Sequence, residues 1–144
     1  FGTQIYFNAF HAAVTAAGLK TRKAWILRPQ QSVDDFEGEG YRQFRRLWQM
    51  PVRPDGIIAF PDQLVRGVVL AVFEADKQKV MRQCHFVFHR NAHQPILCPM
   101  PAIWATTNED AMARALIEMV EIQFRRQPVV PIRLQLEFSE SMGS

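Results

Sequence analysis

The feature that most constrains the fold is an unbroken apolar run, residues 68–73, that passes directly into Glu74-Ala75-Asp76. A membrane span needs about 20 apolar residues, so this run belongs inside a folded core. A short continuous run suits a strand buried on both faces, in a sheet covered by helices. A second apolar stretch, residues 56–60, follows Arg53-Pro54-Asp55-Gly56, and Pro61-Asp62-Gln63 separates the two. The pattern predicts a hairpin, with residues 56–60 and 66–75 as strands and the proline-containing segment as its loop. A hairpin sets the start of its first strand beside the end of its second. Asp55, Glu74 and Asp76 are therefore expected to converge at one end of a sheet.

The rest of the chain reads as α/β. Phe7, Phe10, His11, Val14 and Ala17 recur at helical spacing over residues 4–18, with Gly18 as the stop. Residues 24–27 form a strand in this reading, and residues 41–50 a short helix with Tyr41, Phe44, Leu47 and Trp48 on one side. Residues 78–90 fit a helix through Val80, Met81, Cys84, Val87 and Phe88, while Cys84, Phe86 and Phe88 also fit one face of a strand; the helix is taken. Residues 102–106 make a strand. Thr107-x-x-Asp110 opens a helix with Ala113, Leu116, Ile117, Val120 and Phe124 inward. Alternation from Val130 to Phe138 predicts a last strand, and Pro131 sets it at an edge. The expected order is α-β-β-β-α-β-α-β, a central mixed β-sheet flanked by helices.

With 144 residues the chain is expected to form one domain, 1–144. Two cysteines make no disulfide framework, so a reducing, cytoplasmic setting is expected. Phe1 is not a start methionine and follows no leader, which suggests a fragment or a trimmed chain. A net charge of +3 permits a nucleic-acid partner. Tyr41, Phe44 and Trp48 interleave with Arg42, Arg45 and Arg46, and Arg53 follows. Such a mixture stacks on bases and pairs with phosphates, or is an amphipathic helix with its arginines in water.

Three converging carboxylates supply the hard oxygen ligands of Mg²⁺ or Mn²⁺, and metal-assisted phosphodiester hydrolysis needs that geometry. In this arrangement the sequence resembles the PD-(D/E)xK nuclease-like superfamily, and within it the replication-relaxation family of plasmids and mobile elements. The resemblance rests on Asn8-Ala9-Phe10-His11, Gly18, Trp25, Arg53 to Gly56, Glu74 to Asp76, and Pro101 to Thr106, taken in order. It implies a restriction-endonuclease-like core with a three-stranded meander, and an Mg-dependent DNA endonuclease acting in plasmid replication or mobilisation. Asp55, Glu74 and Asp76 would hold the metal, with Lys77 or Lys79 assisting. The superfamily's lysine usually lies two residues after the third-strand acid, where this chain has Asp76. The resemblance also implies DNA and replication or mobilisation proteins as partners and an N-terminal winged-helix region ahead of this segment; a homodimer is a further candidate assembly, and no membrane partner is expected.

Two readings from other classes compete. One is a non-catalytic module on the same fold that binds DNA or a protein. The other is a small-molecule-binding protein of unknown partner. Cys84, His85, His89, His93 and Cys98 invite a zinc reading, although their spacing matches no standard pattern and small core cysteines are the commoner outcome.

Overall fold

The computed structural model describes residues 2–28, 34–128 and 130–141. Helix α1 spans Gly2–Ala16, and a 3₁₀ turn at Lys23–Trp25 stands where a strand was expected over residues 24–27. Helix α2, Phe36–Trp48, begins at Asp35, whose carboxylate accepts from Gly38 N at 2.7 Å. Strand β1, Gly56–Ala59, leads through a cis Phe60–Pro61 peptide and a 3₁₀ turn at Asp62–Leu64 into helix α3, Val65–Glu74. Helix α4, Lys77–Gln83, and strand β2, His85–Asn91, follow. Strand β3 is Ala102–Thr107, helix α5 is Glu109–Phe124 and strand β4 is Glu137–Ser141.

The four strands form one mixed sheet in the order β1-β2-β3-β4, flanked by helices, as expected. Its connections differ from the meander. β1 lies parallel to β2 with Gly56 opposite His85 and Ala59 opposite Phe88. β2 lies parallel to β3, and only β4 runs antiparallel, at the edge. The expected β-β-β order is therefore corrected to β1-α3-α4-β2-β3, because residues 65–74 are helical.

The physical reason lies in which residues of the run are buried. Val65, Val68, Val69 and Val72 are buried while Arg66, Leu70 and Phe73 are exposed, a spacing of three and four. Gly67 fits the same stripe. A β-carbon there would lie 1.7 Å from Glu37 O, and one on Gly40 would lie 2.1 Å from Leu64 O. Gly67 thus lets α3 touch the backbone of α2, and Gly40 lets α2 touch the turn that leads into α3, contacts that a strand at 66–75 would not need. A short apolar run does not distinguish a strand from a buried helix by itself.

The stretch 78–90 divides between both readings. It is helical to Gln83 and extended from His85, so Phe86 and Phe88 point into the core from one face of β2. Aromatic rings continue from α2 across the sheet: Phe44 stacks on Trp48 at 5.8 Å and meets Phe86 at 6.3 Å, Phe86 meets Phe88 at 5.5 Å, and Phe88 meets Trp104 at 5.7 Å. Covering such side chains supplies about 1.5–3 kcal/mol each. The core lies on this face, between the sheet and the α2–α3 pair.

The other face is different. Ile58, Ile103 and Phe138 are exposed there, and no residue of α5 is fully buried. The stripe expected inward, Leu116, Ile117, Val120 and Phe124, points to solvent. Asn108 rather than Thr107 caps α5, accepting from Ala111 N at 3.0 Å. The last strand is shorter and later than the alternation predicted: Val130, Ile132, Leu134 and Leu136 are exposed and precede β4.

Candidate ligand site at the carboxyl edge of the sheet

The acids read from the sequence do not share a hairpin end, because residues 65–74, expected as the second strand, form α3. Asp55 is exposed at the approach to β1, and its backbone carbonyl accepts from His85 N at 2.9 Å. Glu74 ends α3, where its carboxylate accepts from the Tyr41 hydroxyl of α2. Asp76 caps α4: with φ of 70° it turns the chain between two helices, and its Oδ1 accepts from Lys79 N at 3.2 Å. Lys77 donates its ammonium to Pro99 O and lies over the Phe73 ring, tying residues 92–101 to α3 and α4. Lys79 is exposed. Among the described residues no three His, Cys, Asp or Glu side chains are grouped to hold a metal. Asp55, Glu74 and Asp76 therefore do not make up one three-carboxylate group for Mg²⁺ or Mn²⁺.

The zinc set disperses in the same way. Cys84 is buried, and desolvation, with Asp55 nearby, pushes its thiol up to about 12. Cys98 donates weakly to Met100 O, and burial raises it too. Cys84 is thus a small core residue and Cys98 is half-buried against the core. The arginines of α2 also differ among themselves. Arg42 pairs with Asp35 at 3.6 Å and Glu39 at 3.1 Å, and Arg45 donates to the Tyr41 hydroxyl at 2.9 Å. Arg53 lies over Trp48 at 4.6 Å, and Arg46 is exposed.

A polar cluster forms instead at the opposite edge. β1, β2 and β3 run in one direction, so Phe60 to Asp62, His89 to Asn91, and Thr107 to Glu109 all emerge together. Open α/β sheets bind ligands outside the carboxyl ends of their strands. Asp62 is only 5% exposed, and a carboxylate so buried needs a partner. Asn91 supplies it, donating Nδ2 to Oδ2 at 2.9 Å. His89 Nε2 lies 2.8 Å from Thr107 Oγ1, and the Phe60 ring packs on the imidazole at 4.6 Å between centroids. Ala92 N donates to Glu109 Oε2 at 2.8 Å. Burial of Glu109 acts upward, but amide hydrogen bonds and neighbouring His93 outweigh it and hold the carboxyl below its usual range. Burial lowers the pKa of His89, against the opposing pull of Asp62 and Glu109. Its Nδ1 is buried and has no hydrogen-bond partner among the described residues.

Sequence reasoning assigned Asp62 to a hairpin loop, His89 to a helix and Thr107 to a cap. The missed signal is that three apolar stretches each end in polar residues, Pro61-Asp62, His89-Arg90-Asn91 and Thr106-Thr107-Asn108. That pattern becomes a site only when the three strands are parallel.

Compared with known proteins, the sequence matches no family model and no curated protein. Its fold resembles the crystal structure of a "putative transcription regulator" from Staphylococcus saprophyticus subsp. saprophyticus, with a TM-score of 0.71 and 18% identity. The match covers 92% of this chain and 48% of that one, so this chain spans about half the length of the protein it resembles. At that identity the likeness is one of fold alone. No helix among the described residues is long and apolar enough to cross a membrane.

Proposed function

We propose that this chain is a ligand-sensing α/β domain of a transcription regulator, binding a small polar molecule at the carboxyl edge of β1, β2 and β3. The observation that carries this reading is the convergence of Asp62, His89, Asn91, Thr107 and Glu109 from separate segments onto that edge beside the Phe60 ring. A few fixed polar groups next to an aromatic surface are what orient a small ligand. The resemblance to half of a "putative transcription regulator" agrees with a domain of that role. DNA then belongs to the regulator as a whole. Within this domain, Arg45, Arg46 and Arg53 are α2-side cations without a carboxylate partner among the described residues. The metal-dependent nuclease reading has no group of three acids to support it among the described residues.

The test is amide chemical-shift mapping of the ¹⁵N-labelled chain against D-ribose, putrescine, L-glutamate, succinate and adenosine. A compound that binds should move residues 60–62, 89–92 and 107–109 together. Shifts confined to α2, with the carboxyl edge silent for every compound, would reject the assignment.

A further inference from the structure

Helix α5 has two apolar faces, and only one of them is covered. Ala111, Ala115, Met119 and Ile122 are half-buried against the rest of the chain. Met112, Leu116, Ile117, Val120 and Phe124 recur at spacings of one, three and four and are exposed, Ile117 by 61% and Phe124 by 85%. Glu109, in the first turn, accepts from Ala92 N. The other charged residues of the helix and its C-cap, Asp110, Arg114, Glu118, Glu121 and Arg125, share one strip at spacings of three and four. A surface helix needs one apolar stripe; a helix apolar on most of its circumference has neighbours on more than one side.

The size of the open face fits a protein partner. At about 150–250 Å² for a fully exposed large side chain, the exposed fractions of the five residues amount to roughly 600 Å² of apolar surface. The largest apolar patch on a typical monomer is about 300–600 Å². A specific interface buries about 800 Å² per partner, and about 65% of a homodimer interface is apolar, so this one face supplies what each side of a dimer needs.

The charges at its two ends select the partner. Asp110 lies in the first turn of α5 and Arg125 caps its last, and both side chains are largely exposed. Asp110 meets His93 at 3.1 Å, and Arg125 meets Glu121 at a loose 3.8 Å. When two copies of α5 lie antiparallel, the acidic start of each faces the basic end of the other, and the helix dipoles oppose. A parallel pair would set Asp110 against Asp110 and Arg125 against Arg125. Leu116 and Ile117 stand midway along Glu109–Phe124, so a two-fold axis beside them lays the stripe on its own copy.

We propose that the exposed face of α5 is a dimerisation surface whose occupant is a second copy of this chain, with the two helices antiparallel across a two-fold axis near Leu116 and Ile117. None of the five apolar residues belongs to the carboxyl-edge cluster, so the dimer stands or falls independently of the ligand site.

Sedimentation equilibrium of the full chain, 16.6 kDa as a monomer, tests this. Dimers are expected at about 100 µM, because interfaces of this size have dissociation constants of about micromolar or below. Ile117→Asp should raise the dissociation constant at least about tenfold with unchanged far-ultraviolet circular dichroism, since the side chain it replaces is exposed. If that spectrum changes, Val120→Glu on the same stripe takes its place. Asp110→Arg and Arg125→Asp should each weaken the dimer about fivefold, and the double variant should return to within about twofold of wild type. A chain that is monomeric at about 100 µM overturns the proposal, and so does a dimer that survives a folded stripe variant. A dimer lost in the stripe variants but unmoved by either charge reversal, or not recovered in the double variant, overturns the antiparallel pairing and the proposal with it.

Discussion

The two edges of the sheet carry similar side chains and use them differently. At the amino edge and on the helices leading to it, charged groups are engaged in holding the chain. Glu74 accepts from Tyr41, Asp76 caps α4, and Lys77 ties residues 92–101 by way of Pro99 O. At the carboxyl edge, Asp62, His89, Asn91, Thr107 and Glu109 come from three strand ends and meet, and one buried imidazole nitrogen has no partner among the described residues. Residue type alone therefore does not mark a site. Chain direction does, because parallel strands deliver their last residues to one place and antiparallel neighbours do not.

The comparison depends on α3 being a helix, since that is what lets β2 lie parallel to β1. Gly67→Val tests this with the largest expected effect. In a helix packed on α2, the new side chain meets Glu37 O and Tyr41 N, so the loss should be about 3 kcal/mol by urea unfolding. In a strand the same change would be neutral or stabilising, and that result would undo the topology.

Next in size is a matched pair of carboxylate removals. Asp62→Ala leaves the Asn91 amide without its acceptor in a buried setting, a cost of about 1–3 kcal/mol. Glu74→Ala removes an exposed hydrogen bond to Tyr41 and should cost less than about 1 kcal/mol. Equal losses at the two positions would erase the difference between the edges. Asp76→Asn should be smaller still, within about 0.5 kcal/mol, because asparagine also caps helices and accepts a left-handed backbone. A large loss of stability there would assign Asp76 more than a cap.

The smallest effect is the pH dependence of stability. The folded-state pKa of His89 is lowered, so the unfolded chain takes up its proton first as the solution is acidified. Stability contributed by the neutral ring is complete above the unfolded value of about 6.5 and declines as pH falls from there toward the lower folded-state value. Urea midpoints measured between pH 8 and 5 should fall on acidification, and His89→Gln should flatten that slope. A slope unchanged by the substitution would mean His89 is not the group that couples the carboxyl edge to pH.

Much of the secondary structure was legible locally. α1, α2, β3 and α5 carry their periodicity within 6 to 16 residues, and each overlaps the stretch where the pattern put it, although α2 begins at Phe36 rather than Tyr41. The places that misled are those where one pattern serves two structures. Residues 66–75 are apolar enough for a buried strand or a buried helix, and the choice turns on Gly67 meeting Glu37, thirty positions away in sequence. Residues 78–90 satisfied a helix stripe only because a helix and a strand are joined at Cys84. The inward stripe predicted for α5 failed for another reason: a sequence records that a face is apolar, while its cover depends on what stands opposite, and Leu116, Ile117, Val120 and Phe124 are exposed.

By itself, then, the sequence determined that this chain is an α/β protein with an aromatic core and a mild positive charge, since composition and short-range periodicity are properties of neighbouring residues. The tertiary structure alone decided that β1 and β2 are parallel, that Asp55, Glu74 and Asp76 form no three-acid group, and that Asp62, His89, Asn91, Thr107 and Glu109 form one cluster. Strand direction is set by the packing of α3 and the turn before it on α2 through Gly67 and Gly40, a contact between segments far apart in sequence, and no window along the chain contains both sides of it.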